Sequence, residues 1–231
     1  MWLTPDEADA LRLSLKVGLW CMALGLPLAL GLALLLARTR FPGHGLLNAL
    51  VHLPLVLPPV VTGYLLLLAF GRRGPLGRLL EDAFGLVLAF RWTGAVLAAL
   101  VMALPLMVRP IRLSIEGVDR RLEAAAATLG AGPLRVFLTV TLPLALPGLA
   151  VAGILGFARA MSEFGATITF VSNIPGETRT LPLAIYTAIQ VPGGEGGALR
   201  LTLIAVAVSL LALLASEAWS RRLAARLDGR P

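Results

Sequence analysis

Between Phe157 and Leu201 the chain carries a run of hydrogen-bonding side chains: Arg159, Ser162, Glu163, Thr167, Thr169, Ser172, Asn173, Thr178, Arg179 and Thr180. Hydroxyls, amides and an arginine donate hydrogen bonds without adding negative charge, which is the chemistry that passes an oxyanion. The same string also suits an ordinary polar loop. Arg159 and Glu163 are four residues apart and can pair on one helix face. Near the end of a membrane span such groups either mark a pathway or form a plain ion pair at the interface. The expectation for Glu163, whose charge opposes an anion, is that it pairs with Arg159 or another arginine. No catalytic set accompanies these residues. Asp6, Asp9, Asp82, Asp119 and Asp228 fall in terminal or loop segments, and neither His44 nor His52 has a nearby glutamate or cysteine. The lone Cys21 cannot form an intrachain disulfide.

The elements that must position these residues are membrane helices. Of 231 residues 58% are hydrophobic and 14% charged, with a mean hydropathy of +0.86, whereas soluble domains are about 25% charged. The net charge of +7 does not point to nucleic acid, because the arginines sit at the ends of apolar runs, where they orient a membrane protein. Residues 1–231 are expected to form one all-α polytopic domain with five spans, at about 11–37, 46–70, 93–108, 136–158 and 198–218. The acidic start MWLTPDEADA lacks the basic region of a secretory signal, so the first run is expected to be a retained span. The second carries Pro54, Pro58, Pro59, Thr62 and Gly63 and should be kinked, against a pore or against a neighbouring helix. Residues 71–92 suit a loop with a short surface helix. With the amino terminus outside and the carboxyl terminus inside, the inside loops hold eleven arginines (38, 40, 109, 112, 120, 121, 135, 221, 222, 226, 230) and the outside loops five (72, 73, 78, 91, 179). A sixth crossing at 166–189 competes with this topology but is broken by Asn173, Pro175, Gly176, Glu177 and Arg179.

The inside loop 109–135 has its own pattern. Leu122, Ala125 or Ala126, and Leu129 recur at helical spacing, Gly130 supplies a stop, and Pro133 suits the first position of the next helix. A small-residue stripe of this kind fits a partner protein's groove, and equally a lipid surface. Beyond chemistry, Gly130 followed by Val140, Leu142 and Pro143 matches in spacing the glycine and Leu-Pro half of the EAA loop of ABC importer permeases. The family's glutamate slot holds Ala124, and Glu123 lies one residue earlier, about 100° around the helix. Together with PLVLPPVVTGYLLLL, IRLSIEGVD and EFGATITFVSNIPGETRTLP, the chain from about Leu11 to Arg222 resembles the molybdate ABC transporter permeases. Sulfate and tungstate permeases share shorter pieces such as EFGA.

The resemblance implies a type I importer permease that works as a homodimer, with two copies of an ATPase (ModC-like) and an external molybdate-binding protein (ModA-like). It implies ATPase coupling through Asp119, Arg120, Leu122, Glu123, Ala125, Ala126, Leu129 and Gly130. A translocation path near Thr62, Ser162, Glu163, Thr167, Thr169, Ser172, Asn173 and Arg179 is the matching expectation, in a bacterial inner membrane. One part follows from the residues themselves. The only lysine, Lys16, is followed by Val17, so there is no phosphate-binding Gly-Lys-Ser/Thr loop. ATP and magnesium are therefore expected on the partner ATPase, with no cofactor in this chain.

Overall fold

The computed structural model describes residues 3–227; Asp228 and Arg230, the latter counted among the inside arginines, lie outside the described residues. Helix α1 (Pro5–Arg38) begins six residues before the expected span. The reason is a capping box: Thr4 Oγ1 accepts from the Glu7 amide at 3.3 Å, and Glu7 Oε2 accepts from the Thr4 amide at 2.8 Å. With Pro5 at the first helical position, these bonds satisfy donors that a helix start otherwise leaves open. At 1.5 Å per residue α1 is about 51 Å long, more than the hydrocarbon core requires.

The second apolar run departs from the expected kinked helix. It is two helices, α2 (His44–Val56) and α3 (Pro59–Phe70), bent by 119° at the break. Pro54 is tolerated inside α2, whereas Pro58 and Pro59 together remove consecutive donors and hold Leu57 and Pro58 extended, with ψ of 141° and 134°. The short surface helix expected in 71–92 is α4 (Pro75–Phe84). Helix α5 (Trp92–Glu116) runs eight residues past the expected end of the third span, so Arg109, Arg112 and Glu116 lie on a helix and not in a loop. There Arg112 holds the last turn, donating to Glu116 Oε1 at 2.7 Å and to Asn48 Oδ1 at 3.1 Å.

After α6 (Arg120–Thr128) and α7 (Pro133–Val136), a π turn at Phe137–Thr141 feeds directly into α8 (Leu142–Met161), and together 133–161 make one apolar helix longer than the expected 136–158. The 166–189 stretch is not a single crossing helix. It is α9 (Gly165–Val171), a turn, and α10 (Leu181–Gln190), each too short to span. Helix α11 (Glu195–Leu227) closes the chain. Among the described residues four helices are long and apolar enough to cross a membrane, or five when α2 and α3 count as one span.

The core sits where α5 packs against α1 and α8. In α5 61% of the apolar window is buried, against 28% in α1 and 11% in α11, so α5 is the inner helix and the others turn faces outward. Lipid offers no hydrophobic gain between helices, so close approach of small side chains must hold them together. Accordingly Ala95, Ala98, Ala99 and Ala103 of α5 are fully buried. At Gly148 of α8 an added Cβ would lie 2.6 Å from the Pro110 carbonyl oxygen, closer than any side chain allows.

Candidate functional site

At the arginine-rich end of the bundle, α6 forms because Asp119 caps it, its Oδ1 accepting from the Arg121 amide at 2.9 Å. It stops at Gly130, whose φ of +86° is open to glycine at little cost. Amides of Leu129, Gly130 and Ala131 close back onto the carbonyls of Ala125, Ala127 and Ala126. Pro133 then starts α7, as its spacing predicts. No residue of α6 is buried. Leu122 is 50% exposed and Leu129 89%, with Ala125 exposed between them and Ala126 half-buried. The stripe expected from the sequence therefore exists and is exposed among the described residues. Asp119 and Arg120 lie at its start, and both are exposed.

Glu123 turns the other way. Its Oε1 accepts from Arg38 Nη2 at 2.7 Å and from Thr141 Oγ1 at 2.6 Å, tying α6 to the end of α1 and to the π turn. The glutamate thus faces its own chain, on a side of α6 separate from the exposed stripe. Between α6, the end of α1 and the π turn lies a cavity of about 410 Å³ lined by Leu34, Ala127, Ala131, Val136 and Phe137 as well as the ion pair.

At the far end of α8 the second candidate group assembles. Glu163 is 2% exposed and its Oε2 lies 2.7 Å from Arg159 Nη2, an ion-pair contact outside hydrogen-bond alignment; its Oε1 accepts from the Ala166 amide at 2.8 Å. The carboxylate neutralises an arginine of the helix before it and meets the open amides of the helix after it. Ser162 is exposed and donates to the Arg159 carbonyl at 3.2 Å. Thr167 is buried, and Thr169 bonds back to the Gly165 carbonyl at 2.8 Å. Helix α9 packs on α3 so closely that a Cβ on Gly63 would stand 2.6 Å from the Ala166 carbonyl oxygen, which brings Thr62 beside α9. Thr62 Oγ1 is buried and has no hydrogen-bond partner among the described residues.

The rest of the polar string folds onto itself. Asn173 donates to Thr187 Oγ1 at 2.8 Å and accepts from Arg179 Nε at 3.0 Å. Thr178 Oγ1 accepts from the Ile174 amide at 2.9 Å and donates to the Ser172 carbonyl at 3.3 Å. Ser172 turns the chain out of α9 with a φ of +67°. Asn173, Thr178 and Arg179 therefore build the turn between α9 and α10, beside Asp6 and Asp9 at the start of α1. The structure thus sets Ala166 and Thr169 of α9 against Gly63, the neighbour of Thr62 in α3, and leaves Asn173 and Arg179 in a separate knot.

Sequence reasoning missed three positioning residues. Arg38 counted only as an orientation charge, Thr141 carried no signal, and Ser14, whose Oγ accepts from the Leu181 amide at 2.6 Å and seats α10 on α1, looked like part of an apolar run. Each acts on a residue at least 18 positions away.

Comparison with known proteins agrees with this architecture. The family model described as "Binding-protein-dependent transport system inner membrane component" matches residues 25–227. The chain is 59% identical over 230 residues to the molybdenum transport system permease protein ModB of Escherichia coli K12, covering 100% of both. It is 45% identical to the ModB protein of Mycobacterium bovis, over 91% of this chain and 79% of that one. To a chloroplastic sulfate permease of Chlamydomonas reinhardtii it is 38% identical, covering 93% of this chain and 56% of that one. Among solved structures, a bacterial alginate ABC transporter in complex with its pentasaccharide-bound periplasmic protein aligns with a TM-score of 0.77 at 16% identity, over 95% of this chain and 80% of that one. At that identity the likeness concerns the fold, which is that of ABC importer permeases.

Proposed function

This chain belongs to the binding-protein-dependent transport system inner membrane component family, and from that premise we propose that it is the permease subunit of an ATP-driven importer of molybdate. It is a transport subunit and not itself an enzyme; an ATPase and a periplasmic binding protein complete such a system. The observation that carries the reading is the exposed stripe from Leu122 to Leu129 on a helix with no buried residue, held at the arginine-rich end of the bundle. By the arginine bias that end is cytoplasmic, in the bacterial inner membrane. Two copies of the chain enclose one path, and two ModC-like ATPases, which bind ATP and magnesium, dock on the two α6 helices. ATP binding draws the ATPases together and moves α6, closing the path inside and opening it to a ModA-like molybdate-binding protein outside. Only a state with higher affinity for the loaded binding protein is selected by it.

A doubly charged anion cannot cross hydrocarbon without replacement of its water shell. The orphan hydroxyl of Thr62, with Ser162 and the threonines of α9, supports a weak, hydrated path at the α3–α9 contact. Selectivity resides mainly in the external protein. Between the relatives, 59% identity to a molybdenum permease against 38% to a sulfate permease favours molybdate.

The test is Leu129→Lys. Because Leu129 is 89% exposed, the permease should insert and dimerise normally yet fail to retain the ATPase in a pull-down, and uptake should cease. Normal retention and uptake would remove α6 as the docking element. In competition, tungstate should displace molybdate from the intact system far better than sulfate does; stronger competition by sulfate would reassign the substrate.

A further inference from the structure

Glu123 is, among the described residues, the only side chain of α6 that hydrogen-bonds outside its own helix. Its two partners belong to different long helices. Arg38 is the last residue of α1, and Thr141 is the last residue of the π turn that runs into α8. A single oxygen, Oε1, takes both bonds, at 2.7 and 2.6 Å, so α6 cannot shift relative to one helix without disturbing its hold on the other. Apolar packing does little to seat α6: none of its residues is buried, and an open groove of about 410 Å³ runs beside it. The arm thus has room to move and one polar attachment through which a displacement can be passed on. That attachment lands on a π turn, where the local helix register is already loosened; such turns recur at functional sites.

We infer that Glu123, through Arg38 and Thr141, is the positioning residue by which the docking arm moves α1 and α8 together, so that its work is done inside this chain and not against the ATPase. The inference rests on the reading of α6 as the ATPase-docking helix. It assigns the two faces of α6 different tasks: the Leu122–Leu129 stripe holds the partner, and Glu123 transmits the partner's motion.

The experiment uses the complete transporter reconstituted in vesicles, with uptake and ATP hydrolysis measured together. Glu123→Gln and Arg38→Gln should retain the ATPase while uptake per ATP hydrolysed falls about tenfold, a common size for coupling between sites. Thr141→Val, which removes one bond and keeps the shape, should lower the ratio by about threefold, a fraction of the same coupling range. The decisive variant combines Arg38→Glu with Glu123→Arg: restoring the pair in reverse should recover most of the ratio, as a merely structural defect would not. An unchanged ratio in the single variants, loss of ATPase retention in Glu123→Gln, or no recovery in the exchange would overturn the inference. Failure of the docking reading has a different signature. In that case Leu129→Lys keeps normal ATPase retention and uptake whatever the Glu123 variants do, and the inference falls with it.

Discussion

Glu123 and Glu163 each meet an arginine at 2.7 Å, yet the two pairs are built in opposite ways. Glu163 is paired within one turn of helix and is almost wholly enclosed, with α9 closing on its other oxygen. Glu123 reaches a residue 85 positions away, and both partners remain about one-fifth exposed beside a cavity. In the Arg159–Glu163 pair only the carboxylate is enclosed, its arginine being 23% exposed, and it closes a corner of the bundle. The Arg38–Glu123 pair bridges two separate elements, the end of α1 and the exposed α6. The difference teaches that a glutamate's role here follows from what lies on either side of it, since the contact distance is identical.

Removing the carboxylate altogether should separate the two pairs most sharply. Glu163→Ala leaves Arg159 without its counter-charge and the start of α9 without its acceptor, and should destabilise the permease by about 3 kcal/mol. The measurement is thermal unfolding in detergent, with Glu123→Ala as the comparison, expected to cost about 1 kcal/mol. Equal losses would erase the distinction. A gentler change sharpens it further: Glu163→Gln keeps an acceptor for the Ala166 amide and should leave uptake at neutral pH unchanged or reduced. Faster uptake would mean that the carboxylate faces the permeating anion and repels it. The smallest effect concerns salt. Raising ionic strength screens exposed charges more than enclosed ones, so uptake per ATP should decline modestly in wild-type vesicles, while the unfolding temperature of the Glu163 corner stays put. An equal decline in the Glu123→Gln variant, where the charge pair is absent, would show that the salt acts elsewhere.

The same contrast explains what could be foreseen. Local periodicity announces the stripe Leu122–Leu129, the stop at Gly130, the start at Pro133 and the Arg159–Glu163 pair, because each depends on neighbours within about one or two turns. Helix lengths were less legible. The capping box at Thr4 carries α1 six residues beyond its apolar run, and α5 continues through Arg109 and Arg112 because Glu116 and Asn48 give Arg112 partners. Adjacent Pro58 and Pro59 announced a distortion, but neither its size, 119°, nor the close approach of α3 to α9 at Gly63 is legible in them.

By itself, then, the sequence determined that this is an all-α membrane chain, where helix α6 starts and stops, and that the chain carries no Gly-Lys-Ser/Thr loop. All three follow from composition and from short-range spacing. Tertiary structure decided which way Glu123 faces, that Asn173 and Arg179 serve a turn while Thr62 keeps an unpaired hydroxyl, and that Ser14 seats α10. The contacts of Glu123 and Ser14 depend on side chains brought together from distant parts of the chain. No local pattern encodes such a meeting, because the partners share neither a helix turn nor a loop until α1, α5 and α8 have packed.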